Sequence, residues 1–180
     1  MLTRARTSGF SLIELMIAIA VLGALLAAGV PAFMNWIQNS QIRVAAESVR
    51  NGLQLARTEA VRLNTRVRFQ LTEATESGWK VNPLDDPDRD PPIAIRTHSD
   101  GSGNVTVAAL PAGSAEIVFE PLGTVSNSGG TAPLARIDFS NPLITSTDDR
   151  RELRIIISSN GQAKMCDPKV LTSNDPRKCP

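Results

Sequence analysis

The sequence predicts an α+β fold: one long N-terminal helix packed on an antiparallel β head, sheet or sandwich, that ends in a loop closed by two cysteines. Three observations predict it. An apolar run from Leu15 to Val30 is broken by no charge. Beyond it, apolar residues recur at alternating steps of four and three from Ile42 to Leu63. From residue 66 the pattern changes to short β-rich segments divided by turn residues.

The first element is a stem. The stretch from Phe10 to Phe33, at about 1.5 Å of helical rise per residue, is long enough to cross a hydrocarbon layer of roughly 30 Å. A secretory signal places its small-residue cleavage site after the apolar core. Here the small residue, Gly9, stands between the basic head and that core, so cutting there keeps the stem. Arg4 and Arg6, with few basic residues just after the span, put the amino end in the cytoplasm and the rest outside. Glu14 needs a partner, because an ionised acid within a membrane helix costs about 2.5–3.5 kcal/mol on insertion scales. Cleavage after Gly9 frees an α-amino group on Phe10, one helical turn away, and the pair can form within the chain or between neighbouring copies.

The run Gly9-Phe10-Ser11-Leu12-Ile13-Glu14-Leu15 resembles the class III signal of type IV pilins and type II secretion pseudopilins. The resemblance implies that a prepilin peptidase cuts after Gly9 and methylates the amine of Phe10. It also implies that Glu14 guides each subunit from the inner membrane into a helical filament of major and minor pilins. A glycine and a proline matching Gly23 and Pro31 bracket the part of the family's helix that loosens inside filaments; a simple kink is the other reading, since Pro31 removes a bond to the Ala27 carbonyl.

Without the leader about 170 residues remain, and without the whole helix about 115, enough for one globular head. The boundaries expected are a leader at 1–9, a membrane or filament-core helix at 10–33, its amphipathic continuation at 34–64 and a periplasmic β head at 65–180. Loss of Arg4 and Arg6 leaves 17 basic against 18 acidic side chains, so mean charge gives no sign of nucleic-acid binding. Cys166 and Cys179 lie in a segment placed outside the cytoplasm, where disulfides persist. A bridge there would stabilise by roughly 3 kcal/mol; two free thiols or half a metal site are the alternatives.

In the amphipathic part, Ile42, Ala46, Val49, Leu53, Ala56, Ala60 and Leu63 form the stripe that should carry the head, with alanines that permit close approach of a sheet. Arg43, Arg50 and Arg57, seven apart, lie beside it, either as a solvated flank with Glu47 or as a contact to acidic neighbours or phosphate. Strands are expected at 67–72, 79–82, 93–96, 105–110, 116–120, 136–140 and 151–159. Asp85 to Pro92 is a charged loop and Ser126 to Gly130 a glycine-rich one. Asp86, Asp88 and Asp90 have the alternate spacing of a calcium loop but lack its glycine and distal glutamate.

Leu53-Gln54-Leu55-Ala56-Arg57-Thr58-Glu59-Ala60-Val61-Arg62, Phe119-Glu120-Pro121-Leu122-Gly123 and Ile155-Ile156-Ile157-Ser158-Ser159-Asn160-Gly161 before Cys166 resemble the FimU, FimT and GspH subgroup of minor pilins and pseudopilins. Members of the FimT branch that bind DNA carry Gly-Arg-x-Arg before the cysteine, where this chain has Gly161-Gln162-Ala163-Lys164. Both arginine places are lost, and a nucleic-acid or competence reading would rest on Lys164, Arg177, Lys178 and the arginine row of the helix. FimU-like subunits, by resemblance, start assembly at the pilus tip, which is the favoured reading; a GspH-like secretion pseudopilin is the third. No catalytic constellation, cofactor fingerprint or metal set stands out, and His98 beside Asp100 reads as a surface loop residue.

Overall fold

Helix α1 (Leu12–Leu63) starts and stops where its sequence supplies the ends. Ser11 precedes the first helical residue, and its carbonyl accepts the Leu15 N–H at 3.1 Å. Glu14 completes the Ser-x-x-Glu order of a capping box and puts an acid at the positive end of the helix dipole. At the other end Asn64 is left-handed, with φ 51°. The Thr65 N–H then reaches the Ala60 carbonyl and the Asn64 N–H that of Val61, both at 3.3 Å, a Schellman closure with asparagine in the usual glycine place.

This computed structural model describes residues 10–126 and 132–180; Arg4, Arg6, Gly9 and nearly all of the glycine-rich loop lie outside the described residues. The chain forms two separate units, a stem to Trp36 and a head from Ile37. In the stem every described side chain from Phe10 to Met34 is exposed, and α1 passes through Gly23 and Pro31 without a break. It is long and apolar enough to cross a membrane.

The head holds nine strands among its described residues: β1 (Val67–Leu71), β2 (Trp79–Pro83), β3 (Ala94–Arg96), β4 (Thr106–Leu110), β5 (Glu116–Phe119), β6 (Val125–Ser126), β7 (Arg136–Ser140), β8 (Leu153–Ile157) and β9 (Ala163–Cys166). They form two antiparallel sheets, ordered β3-β2-β1-β5-β6 and β4-β7-β8-β9. Seven of the nine match the expected segments. Strand β6 is too short to show a period, and Ala-Lys-Met-Cys of β9 lacks the β-branched residues that mark strands.

One core joins the helix to both sheets. Strand β1 alternates buried and half-buried positions and pairs Val67 with Phe119 and Phe69 with Ile117. The second sheet adds Val107, Ile137, Phe139, Ile155 and Ile157. From the helix come Ile42, Ala46, Val49, Leu53, Ala56 and Ala60, as the stripe predicts, together with Ala45. Leu63 departs from it: at 37% exposure it lies beyond the last buried turn, because the chain leaves the helix at Asn64.

Two helix positions show how closely the sheet approaches. Trp79 Nε1–H donates to Ser48 Oγ at 2.9 Å in the buried interior. A Cβ on Gly52 would lie 2.8 Å from the Trp79 ring and 2.9 Å from that of Phe69. The two rings are packed on each other with centroids 5.7 Å apart, so neither can give way without the other. Gly52→Val is therefore expected to cost about 2 kcal/mol despite better helix propensity, measured as a lower thermal midpoint of the chain.

Candidate functional site

The stem supplies the first candidate site. Phe10, the first described residue, is 83% exposed, and Glu14 lies in the first turn of α1. Both stand at the open end of the helix, where an added amino charge on Phe10 and the carboxylate are one turn apart. Apart from the adjoining residues and the helix's own backbone, nothing lies within 4 Å of a Cβ built on Gly23 or Gly29, so these glycines leave bare notches on an otherwise greasy rod.

The second candidate lies on the head, where the arginine row divides into three environments. Arg43 forms a 3.0 Å pair with Glu47, with both side chains largely in solvent. Arg57 turns inward, and its Nε–H donates to the Gly123 carbonyl at 2.9 Å. Arg50 has a buried Nε without a hydrogen-bond acceptor among the described residues. Gly123 and Gly161 both have positive φ, +75° and +78°. A Cβ on Gly161 would strike the Gly123 carbonyl and lie 3.2 Å from Arg57 Nε, so three segments far apart in sequence meet with no room to spare.

Beside this junction a groove of about 490 Å³ runs between α1 and the β8–β9 hairpin, with Arg50, Gln54 and Arg57 on one wall and residues 161–165 on the other. Among the described residues no acidic side chain lines it. Lys164 is exposed, opposite Ile156 in the register and so on the face of β9 away from the core.

Of Lys164, Arg177 and Lys178, Arg177 already has an acidic partner. A disulfide joins Cys166 to Cys179, and within that loop the Arg177 guanidinium donates to Asp175 at 2.8 and 3.1 Å while its backbone N–H donates at 2.9 Å. These bonds, the side-chain one foremost, hold the Asp175 carboxyl down at about 2 from 3.8, and the same pairing raises Arg177. Since the folded value is the lower one, the carboxylate's contribution is complete above the unfolded pKa and is lost as the pH falls through about 2. An NMR acid titration is expected to find the Asp175 midpoint near 2, moving back towards 3.8 in Arg177→Ala.

His98 is half-buried rather than a free surface residue. Its Nδ1 lies 3.1 Å from Ser77 Oγ and its Nε2 lies 3.0 Å from the Gly103 carbonyl. The carbonyl can only accept, so Nε2 carries the proton, and both ring nitrogens are engaged in holding the loop. Asp100 is tied instead to the Thr97 N–H at 3.1 Å, and bonding to Thr97 lowers its pKa. Asp86, Asp88 and Asp90 stay in a loop that Asn82 Nδ2 anchors through the Pro87 carbonyl at 2.6 Å. Among the described residues no group of three or more His, Cys, Asp or Glu is placed to hold a metal ion.

Sequence reasoning missed the groove, since its walls come from positions more than a hundred residues apart. Gly52, in the middle of an amphipathic helix, signals a different close approach, that of the Trp79 and Phe69 rings.

Residues 45–161 match the family described as type II transport protein GspH, and residues 4–30 match the prokaryotic N-terminal methylation motif. Two crystal structures of the type IV minor pilin FimU of Pseudomonas aeruginosa PAO1 share the fold. One, in space group P21, is 20% identical with a TM-score of 0.54 and covers 76% of this chain and 99% of its own. The other, in P65, is 21% identical with a TM-score of 0.50 over 72% of this chain and 99% of its own.

Proposed function

Because the chain belongs to the GspH family of type II transport proteins and bears the N-terminal methylation motif, we propose that it is a type IV minor pilin that primes or tips a pilus fibre. The family and fold are those of structural pilins, anchored in the inner membrane by the stem with the head in the periplasm. The observation that carries the proposal is the bare apolar rod from Phe10 to Met34 with its acid in the first turn. Such a rod finds apolar surroundings in the bilayer or among other rods.

In this reading prepilin peptidase cuts after Gly9, methylates Phe10, and the new amine of one subunit meets Glu14 of the next. Gly23 and Pro31 are the places where the helix loosens on entering the fibre. The FimU likeness of the head favours a pilus. The family description favours a second reading, a pseudopilin of a type II secretion machine.

Two measurements test this. Mass spectrometry of the membrane-extracted chain is expected to find a first residue of N-methyl-Phe10, and full-length precursor only in Gly9→Val. Deletion of the gene should remove surface pili and leave protein secretion intact; the opposite result selects the second reading, and a loss of neither ends both.

A further inference from the structure

We propose that the groove between α1 and β9 receives an extended, carboxylate-bearing segment of a partner pilin, which adds to the second sheet as a further strand beside β9. The inference rests on the reading of the chain as a fibre subunit and says which face of the head makes the contact.

Strand β9 is an edge of the sheet β4-β7-β8-β9. Its inward and outward backbone groups can be assigned. The Ser158 N–H donates to the Gln162 carbonyl at 3.0 Å across the hairpin, and in an antiparallel pair such bonded positions recur every second residue. The Gln162 carbonyl and the N–H and C=O groups of Lys164 and Cys166 therefore point towards β8, where Lys164 faces Ile156 and Cys166 faces Arg154, while the Gln162 N–H donates to Asn160 Oδ1 in the turn. Ala163 and Met165 direct their N–H and C=O groups away from the sheet. Asp167, next in that outward series, confirms the phase, because its N–H is taken by the Arg177 carbonyl at 2.7 Å.

The tail closed by the disulfide thus covers the edge at Asp167, with Lys178 bridged to it in parallel, and stops there. Among the described residues the outward backbone groups of Ala163 and Met165 have no partner, and both residues line the groove. An exposed edge of this kind is a template for another strand.

The opposite wall sets the chemistry. Arg57 spends its Nε–H on Gly123, and among the described residues its two terminal amino groups have no acceptor. Arg50 stands two helical turns away, about 10 Å along the axis, with its Nε unbonded among the described residues. Gln54 lies between them, and among the described residues no acid lines the groove to neutralise the two guanidinium groups. Carboxylates on one face of an extended peptide, spaced by about 6.7 Å for each pair of residues, fall within reach of both arginines.

A polyanion such as DNA would satisfy the arginines but not the strand edge. An extended peptide brings a regular row of backbone N–H donors to the carbonyls of Ala163 and Met165, which a phosphate backbone does not. The lost arginines at Gln162 and Lys164 weaken the polyanion reading further.

The test uses the full mature chain in detergent and a synthetic peptide of alternating glutamate and valine. Binding is expected at low salt, with NMR shifts and slowed amide exchange at Ala163 and Met165, and a loss on the order of tenfold in Arg50→Glu with an unchanged thermal midpoint. Arg50→Gln should fall between the two. Absence of binding, shifts confined to other residues, or equal affinity in Arg50→Glu would overturn the inference. So would displacement of the peptide by a single-stranded oligonucleotide at lower concentration, which would make the groove a nucleic-acid site. Glu14→Gln should bind the peptide normally, so a failure here leaves the fibre reading standing, and a failure of that reading is visible elsewhere.

Discussion

Glu14→Gln is expected to leave the chain synthesised, cleaved after Gly9 and inserted in the membrane, yet depleted at least tenfold from sheared fibres. Glutamine is the informative choice because two roles converge on this residue. Glu14 stands at the acidic place of the Ser-x-x-Glu order that opens the helix, and glutamine suits that place as well as glutamate does. What glutamine lacks is the charge that, in the proposed assembly, meets the new amino terminus of a neighbour. A charge-assisted contact of this kind contributes about 1.5–3 kcal/mol, which corresponds to roughly ten- to hundredfold in an association constant. Immunoblots of whole cells and of the sheared fraction separate the two roles. A full complement of the variant in fibres would remove Glu14 from the assembly mechanism.

Gly161→Ala carries the largest expected loss of stability in the head. The residue has φ +78°, a region that costs an L-residue about 1–2 kcal/mol. Its new methyl would also run into the Gly123 carbonyl, 3.2 Å from Arg57 Nε and 3.3 Å from the Phe119 ring. That carbonyl is already held by the 2.9 Å bond from Arg57, so it cannot retreat without breaking it. The total is about 3 kcal/mol, or roughly a 10 °C fall in thermal midpoint for a head of this size. Gly113→Ala is the control: it has φ +84° but open space around the added methyl, and should show only the conformational part. Equal effects of the two substitutions would mean that the junction of Arg57, Gly123 and Gly161 contributes nothing.

The same junction shows what a sequence reading can and cannot reach. Phe10, Glu14 and the apolar run are local and ordered along the chain, so the stem was legible residue by residue. The stripe from Ile42 to Ala60 and strands such as β1 and β7 were legible because burial on one face writes a period into the sequence. The division of nine strands into two sheets left no such mark, as it depends on pairings like Val67 with Phe119 across about fifty residues. Arg57 was visible as one of a row of three, but a regular spacing of seven does not distinguish an arginine in solvent from one that holds a distant carbonyl. The open edge of β9 was hidden twice over, by a strand with weak propensity and by a tail whose cover ends at Asp167.

The bare rod from Phe10 to Met34 also fixes how this protein is counted. A molecule that never leaves a lipid or packed-helix environment travels in two dimensions. Its supply to a growing structure scales with copies per area of bilayer and not with copies per volume of cell. Crowding of that sheet by other anchored proteins will slow its arrival, whatever the affinity of its head.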